Sequence, residues 1–183
     1  KKNNGKFVLR LEDTDQSRYS EEAEKEIYKS LEEYGFTPDE GPMQGGNYGP
    51  YVQSQRLDLY KNYAEQLVER DAAYYCFLTD EEYEIESLKA KQNKVPFRSP
   101  HRNLPQDEVN ARLEAGQSYV IRQKMPENQE VRFTDGVQGD LVFNTKDVND
   151  GVLLKSDGFA TYHLAMLVDD HLMEISHVFR GFE

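Results

Sequence analysis

The stretch FVLRLEDTDQSRYS, residues 7–20, changes from apolar to acidic in its middle. Residues 7–11 are apolar apart from Arg10, which is typical of a short strand buried on both faces in a parallel sheet. Three carboxylates follow within four positions: Glu12, Asp13 and Asp15. Ligands of open α/β sheets bind beyond the carboxyl ends of the strands, so this acidic strand end is a candidate binding site.

The segment after this strand has the pattern of an amphipathic helix. Ser20 is a favourable N-cap, and the acidic residues directly after it suit the positive end of the helix dipole. Gly35, a residue type that commonly ends helices, follows four apolar side chains at helical spacing: Ala23, Ile27, Leu31 and Tyr34. Strand, loop and helix in this order predict an α/β fold.

Further segments extend this layout along the chain. Residues 37–53 form a loop rich in Gly, Pro and Asn, and long loops in compact domains are usually functional or disordered. A second amphipathic helix is predicted over residues 54–70, and a strand over residues 72–78. Residues 175–181 predict a closing strand. Before it, residues 160–172 predict a helix whose apolar side carries Leu164, Leu167, Val168 and Leu172.

The composition changes at about residue 73 and changes back at about residue 152. This segment starts with an acidic helix capped by Thr79, and continues with a basic loop at 94–105 and a short helix at 106–116. Four strand-like pieces follow, separated by turn residues: 118–125, 129–135, 140–144 and 151–158. We therefore predict an α+β insertion between two parts of an α/β core.

The charges at the two predicted strand ends are opposite. The acidic cluster lies at one end, and Arg180 lies in the closing strand. A carboxylate accepts hydrogen bonds from an ammonium group, and an arginine fork binds a carboxylate. The chemistry of these ends predicts a small substrate that resembles an amino acid.

The chain is strongly acidic, with 34 Asp and Glu against 22 Lys and Arg and a formal net charge of −12. This excess argues against general nucleic-acid binding, although a local basic groove is compatible with it. Cys76 is the one cysteine, which excludes an internal disulfide and suits a reducing compartment. No apolar run is long enough to span a bilayer. We expect no membrane association and a cytoplasmic location, with a mitochondrial or plastid matrix as the alternative.

Three long blocks of sequence carry a family resemblance: LRLEDTDQSRYS (9–20), DEGPMQGGNYGPYVQSQR (39–56) and LLKSDGFATYHLAMLVDDHLMEISHVFRG (153–181). In order, and over nearly the whole chain, they closely resemble the catalytic domain of bacterial and organellar glutamyl-tRNA synthetases. The resemblance implies a Rossmann-like class I synthetase core. Residues 1–72 and 153–183 would form the core, and residues 73–152 an inserted α+β subdomain that binds the tRNA acceptor end.

The resemblance also implies an activity and its partners. Enzymes of this family join glutamate to ATP, with Mg²⁺, to give glutamyl-adenylate and pyrophosphate. They then transfer the glutamyl group to the 3′ end of tRNA(Glu), and they generally need bound tRNA for the first step. The implied partners are glutamate, ATP and tRNA(Glu), and we expect a monomer.

The resemblance assigns three residues to the glutamate pocket. Glu12 matches the position that binds the α-ammonium group, and Arg180 matches an arginine that pairs with a substrate carboxylate, that of the side chain. Tyr162 matches a tyrosine that lines the pocket, although a core tyrosine is an equally good reading.

Three more residues are assigned near the tRNA end or the nucleotide. Asp15 and Arg18 match positions near the terminal adenosine or its phosphates, and Asp170 matches a position beside the amino acid and nucleotide. Asp169 is equally well interpreted as a structural cap, and Asp13 receives no role. No residue is assigned as catalytic, because adenylation by an ionised carboxylate needs positioning and charge stabilisation rather than a strong base.

The sequence departs from the family pattern in several places. The HIGH and KMSKS elements, which precede and follow this stretch in the family, are missing, so we expect a fragment that is inactive alone. Of the zinc ligands of some members only Cys76 and His101 have counterparts, and a structural zinc site needs four, so we predict no zinc. Met166 replaces a common asparagine and Phe182 a common acid, so either the pocket is rearranged or another residue compensates.

Three alternatives stay open at this level. One is the shortened paralogue that glutamylates queuosine in a tRNA, although it usually carries the zinc cysteines. A more distant one is glutaminyl-tRNA synthetase. The third is a non-catalytic tRNA-binding relative, which would fit the departures at Met166 and Phe182. An intact HIGH element and KMSKS element in the parent protein would favour the enzyme.

Overall fold

The computed structural model describes residues 4–15 and 20–178. The chain divides into two compact units. Unit 1 comprises Lys1–Lys61 and Phe159–Glu183, and unit 2 comprises Asn62–Gly158. The predicted insertion at 73–152 lies within unit 2.

The segment at residues 7–11 was predicted to be a regular buried strand. It is extended, but it does not form such a strand. Only two isolated parallel bridges involve it, Val8 with Glu40 and Leu11 with Val52. Leu11 is buried, whereas Phe7 is 40% exposed. The prediction was wrong because both bridge partners lie in the Gly- and Pro-rich loop, whose turns interrupt a continuous ladder.

Helix α1, Glu21–Glu33, confirms the predicted capping. The Ser20 side chain accepts a hydrogen bond from the backbone N–H of Ala23. Gly35, at φ +70°, lies just beyond the helix end. None of the α1 residues is fully buried, and Ile27 is 43% exposed.

Helices α2 and α5 place buried side chains in unit 1. A short 3₁₀ helix, Gln53–Arg56, leads into α2, Leu57–Glu69, where Tyr60 is fully buried. Helix α5, Tyr162–Leu172, buries Leu164, Ala165, Val168 and Asp169. Leu167, predicted on the same side, is 63% exposed, because it lies on the flank of the stripe that those four residues form.

Unit 2 is built on a three-stranded antiparallel sheet of order β1-β2-β5. Strand β1 is Ala73–Cys76, β2 is Val120–Gln123 and β5 is Val152–Leu154. In the register, Tyr75 pairs with Ile121, and Ile121 with Leu154. Ile121 and Leu154 are buried, so this sheet supplies core residues of unit 2.

Two helices and a hairpin complete unit 2. Helix α3, Asp80–Gln92, has the predicted Thr79 cap, in a reciprocal capping box with Glu82. Helix α4 is Gln106–Glu114, and the strands β3, Glu130–Asp135, and β4, Gly139–Asn144, form an antiparallel hairpin.

The remaining predictions concern the end of the chain and membranes. Of the predicted closing strand at 175–181, residues 175–178 form no strand and residues 179–181 lie outside the described part. Across residues 4–15 and 20–178, no helix has the length and apolar character that crossing a bilayer requires.

Candidate functional site

A buried carboxylate, Asp169, organises the centre of unit 1. Its side chain is fully buried in α5. Oδ1 accepts from Nε of Arg56 at 2.8 Å, while Oδ2 accepts from Nε2 of Gln53 at 3.0 Å and from the Tyr60 hydroxyl at 2.7 Å. Nε of Arg10 lies 3.7 Å from Oδ2. Asp169 therefore ties α5 to the 3₁₀ helix, to α2 and to the extended segment at residues 7–11.

The groups that contact the Asp169 carboxylate are all hydrogen-bond donors. The Arg56 side chain is itself buried, and an ion pair removed from water is stable only when its hydrogen bonds are satisfied. Burial and the hydrogen bond to Asp169 raise the pKa of Tyr60 far above its ordinary value. The Tyr60 hydroxyl therefore stays protonated and donates at any physiological pH.

Arg10 connects this buried centre to the predicted site residues. Nη1 donates to Oδ1 of Asp170 at 2.8 Å, and Nη2 donates to Oε1 of Glu12 at 2.9 Å. The Arg10 side chain is 12% exposed, against 21% for Asp170 and 36% for Glu12. The structure thus brings Glu12 and Asp170 together around one guanidinium group, with Glu12 the most open to solvent of the three.

Asp13, which had no role in the sequence, fixes the start of the 3₁₀ helix. Its Oδ1 accepts from the backbone N–H of Ser54 at 2.8 Å. The backbone of Leu11 adds two hydrogen bonds, because its N–H donates to the Tyr51 carbonyl and its carbonyl accepts from the Gln53 N–H. These bonds hold the acidic segment against residues 51–54.

The loop at 37–53 is ordered by a second buried acid, Glu40. Its carboxylate accepts a short hydrogen bond from the Tyr51 hydroxyl, one from the Asn47 backbone N–H at 3.2 Å, and an ion pair from Lys6 at 2.5 Å. The hydrogen bonds of Lys6 and Tyr51 lower the pKa of Glu40. Gly46, at φ +141°, lies so close that a Cβ there would overlap both the Tyr51 hydroxyl and this carboxylate. The loop is therefore a packed structure rather than a disordered one.

Two backbone contacts and one side-chain contact join this loop to the rest of unit 1. Nη1 of Arg56 donates to the carbonyls of Tyr48 and Pro50, at 3.3 and 3.1 Å. The Tyr48 hydroxyl donates to Glu174, just after α5, at 2.7 Å.

The other predicted site residues have separate positions. Tyr162 begins α5, two turns before Asp169, and its ring makes an edge contact with His163 at 5.6 Å between centroids. Asp15 is exposed. Arg18 and Arg180 lie outside the described residues, as does Phe182, so their assignments stay predictions.

Sequence reasoning missed the residues that organise the site, although one signal was present. Arg10 is a lone charge within an apolar run, which is how a buried ion pair looks in a sequence. Asp169 and Asp170 lie equally far from the predicted apolar side of the helix, so the sequence pattern did not distinguish them. The structure places Asp169 inside α5 as a buried acid and not as a cap.

The candidate zinc ligands in unit 2 both have protein partners. Sγ of Cys76 lies 3.3 Å from Oγ of Ser99, and the thiol is buried. Nδ1 of His101 accepts from the Phe77 backbone N–H at 3.1 Å, and burial lowers the pKa of this imidazole.

Comparison with known proteins identifies the family of the chain. Residues 1–183 match the family model for the catalytic domain of class I tRNA synthetases of the E and Q type. The chain belongs to this family. The prediction of a class I synthetase catalytic domain is thereby confirmed, while the acceptor-binding role of the insertion stays a prediction.

Relatives within this class I synthetase family are glutamate–tRNA ligases. The enzyme of Chlorobaculum parvum is 49% identical over 191 residues, covering all of this chain and 38% of that protein. The enzyme of Treponema denticola is 49% identical over 182 residues, covering 98% of this chain and 36% of that protein. The chain therefore spans little more than a third of the length of the relatives it matches.

Solved structures agree with this assignment. The crystal structure of a glutamate tRNA ligase from Elizabethkingia meningosepticum, in complex with its amino acid, matches with a TM-score of 0.89 and 41% identity. It covers 98% of this chain and 38% of that one. A glutamate-tRNA synthetase from Elizabethkingia anophelis matches with a TM-score of 0.88, again at 41% identity. The mixed helix and sheet fold is therefore that of class I synthetase catalytic domains.

Proposed function

We propose that the protein activates glutamate with ATP and transfers it to the 3′ end of tRNA(Glu). The observation that carries this proposal is the 49% identity to glutamate–tRNA ligases along the whole chain. The acidic arrangement at Glu12 and Asp170 adds a chemical reason, because two carboxylates beside one guanidinium group suit a bound ammonium group.

In this proposal, one protein residue binds each end of the glutamate substrate. Glu12 accepts from the α-ammonium group, and Arg180 pairs with the side-chain carboxylate. An arginine without a competing acid favours glutamate over glutamine, because the amide of glutamine would leave the guanidinium group poorly paired. Tyr162, at the start of α5, lines the same pocket.

ATP and Mg²⁺ complete the first step. Adenylation is an in-line displacement at phosphorus by a carboxylate that is already ionised, so the protein supplies positioning and charge stabilisation. When bound with ATP, Mg²⁺ would supply charge neutralisation for the phosphates. We assign Asp170 to the side of the pocket shared by the amino acid and the nucleotide, and Asp15 and Arg18 to the terminal adenosine of the tRNA or its phosphates.

A zinc ion is not part of the proposal. Cys76 and His101 each use the relevant atom in a contact with a neighbouring group. Within residues 4–15 and 20–178, no group of three or more His, Cys, Asp or Glu side chains is placed to hold a metal ion. The absence of zinc stays a prediction from the sequence.

Residues 73–152 are proposed to bind the acceptor end of the tRNA. The protein is proposed to act as a monomer in the cytoplasm, with an organelle matrix as the alternative. The names of the relatives do not favour the enzyme that glutamylates queuosine.

The proposal is tested by tRNA charging with the full-length protein. We expect labelled glutamate to be incorporated into tRNA(Glu), and we expect Glu12→Gln and Arg180→Ala each to reduce kcat/KM for glutamate by about 100-fold. Glu22→Gln, an exposed acid on α1, is the matched control and should leave charging unchanged. Absence of charging by the wild type would refute the function, and full activity in both site variants would refute the pocket assignment.

A further inference from the structure

Arg10 is the one side chain described here that touches both Glu12 and Asp170. Nη2 of Arg10 donates a hydrogen bond to Glu12, and Nη1 donates one to Asp170. Its third nitrogen, Nε, faces Asp169 at 3.7 Å. The guanidinium group of Arg10 therefore connects the buried centre of unit 1 to Glu12, the acid that is proposed to bind the substrate ammonium group.

We propose that Arg10 is a positioning residue for glutamate recognition, which acts by orienting the Glu12 carboxylate. This inference rests on the proposed function and names a residue that the family resemblance did not assign. Arg10 does not bind the substrate itself, because its guanidinium group is already engaged by three carboxylates and its side chain is 12% exposed.

The geometry explains how Arg10 acts on Glu12. A carboxylate offers two oxygens, so Glu12 can accept from Arg10 through Oε1 and from an ammonium group through Oε2. A glutamate side chain at 36% exposure samples several rotamers unless a partner fixes it. The guanidinium fork is rigid and planar, so it fixes direction as well as distance.

The orientation of Arg10 is itself determined by the buried centre. Asp169 is fully buried and is held by Gln53, Arg56 and Tyr60, so its position is not adjustable. Arg10 also approaches the sulfur of Met173 at 3.9 Å, beyond the end of α5. These contacts keep the guanidinium plane in place when Glu12 binds the ammonium group.

The charge in this group of side chains also favours a cationic ligand. Two arginines, Arg10 and Arg56, stand against three carboxylates, those of Glu12, Asp169 and Asp170. Within this set one negative charge stays unbalanced, and a substrate ammonium would neutralise it. Without Arg10 the acids would repel one another, and Glu12 would turn toward solvent.

The test is a double-mutant cycle in the full-length protein, with Arg10→Met, Glu12→Gln and the double variant. The readout is the KM for glutamate in tRNA charging, measured beside the KM for ATP. We expect Arg10→Met to raise the KM for glutamate by about 10-fold or more while the KM for ATP changes by less than about 2-fold. In the Glu12→Gln background the same change should add less than about 2-fold, because its target carboxylate is gone.

Conservative and control variants separate positioning from folding. Arg10→Lys keeps the charge but loses the guanidinium fork, so it should give an intermediate KM for glutamate. If Arg10→Met does not fold, Arg10→Lys replaces it in the double-mutant cycle with Glu12→Gln. Lys25→Met, which removes an exposed charge from α1, should change neither KM. Thermal unfolding of each variant identifies a loss that is due to misfolding.

The outcomes distinguish this inference from the function on which it rests. A wild type that charges no tRNA refutes both. If the wild type charges tRNA, three results refute the inference alone. The first is an Arg10→Met variant with an unchanged KM for glutamate, and the second is one in which the KM for glutamate and the KM for ATP rise together. The third result is a double variant whose rise in the KM for glutamate equals the product of the two single rises.

Discussion

Replacing Asp169 by asparagine should destabilise the protein more than the same substitution at the neighbouring Asp170. The change keeps the size of the side chain but removes its charge and turns one acceptor into a donor. If the amide nitrogen took the place of Oδ1, Arg56, whose side chain is 6% exposed, would face a donor instead of a carboxylate oxygen. If the amide nitrogen took the place of Oδ2, Gln53 and Tyr60, which share that oxygen, would both lose their acceptor.

The magnitude follows from these contacts. Removing one partner of a buried ion pair costs about 3–5 kcal/mol, because the other charge is left uncompensated. Folded domains are stable by about 5–15 kcal/mol, so the loss is a large fraction of the total. It corresponds to a fall in the melting temperature of about 6–20 °C.

The assay is thermal unfolding followed by circular dichroism, with Asp170→Asn as the matched control. Asp170 is the next residue along α5, is 21% exposed, and its side chain contacts Arg10. An ion pair of this exposure contributes about 1 kcal/mol or less. Equal effects of the two substitutions, or a loss below about 1 kcal/mol for Asp169→Asn, would refute the role of Asp169 as the organising carboxylate.

Three further predictions concern packing, unit 2 and pH. Leu164→Ala should lower the free energy of unfolding by about 2–5 kcal/mol, and Leu167→Ala by no more than about 0.5 kcal/mol; denaturant unfolding showing equal effects would contradict the observed orientation of α5. Asp150→Asn should cost about 3–5 kcal/mol in thermal unfolding, because this fully buried carboxylate neutralises two arginines; an unchanged melting temperature would contradict it. Because Lys6 and Tyr51 lower the pKa of Glu40, its stabilisation is present above the ordinary value of 4.5 and is lost as the pH falls through the lower folded-state pKa. Glu40→Gln should therefore flatten the acid limb of the stability–pH curve, and an identical limb in the variant would count against this network.

Local signals predicted the helices well. The Ser20 and Thr79 caps and the acids that follow them are short-range features, so α1 and α3 begin where the sequence indicates. The orientation of α5 was predicted less well, because Leu167 is apolar and was placed on the buried side. The neighbouring elements decide which flank of the helix is covered, and the sequence of the helix does not show this.

The site was predicted in its location but not in its connections. The position of Glu12 at the end of an extended segment was visible, since carboxylates cluster there. The link from Glu12 through Arg10 to α5 joins residues about 160 positions apart, and no local pattern encodes such a contact. The expected strand at 7–11 was wrong for a related reason, since its partners belong to an irregular loop.

The most direct test of the account is the structure of the full-length protein with glutamate bound. We predict that the α-ammonium nitrogen lies within about 3.2 Å of a Glu12 carboxylate oxygen, while Arg10 stays on the other oxygen. Glutamate bound with its ammonium group away from Glu12, or with its carboxylate on Arg10, would contradict both the site and the positioning role.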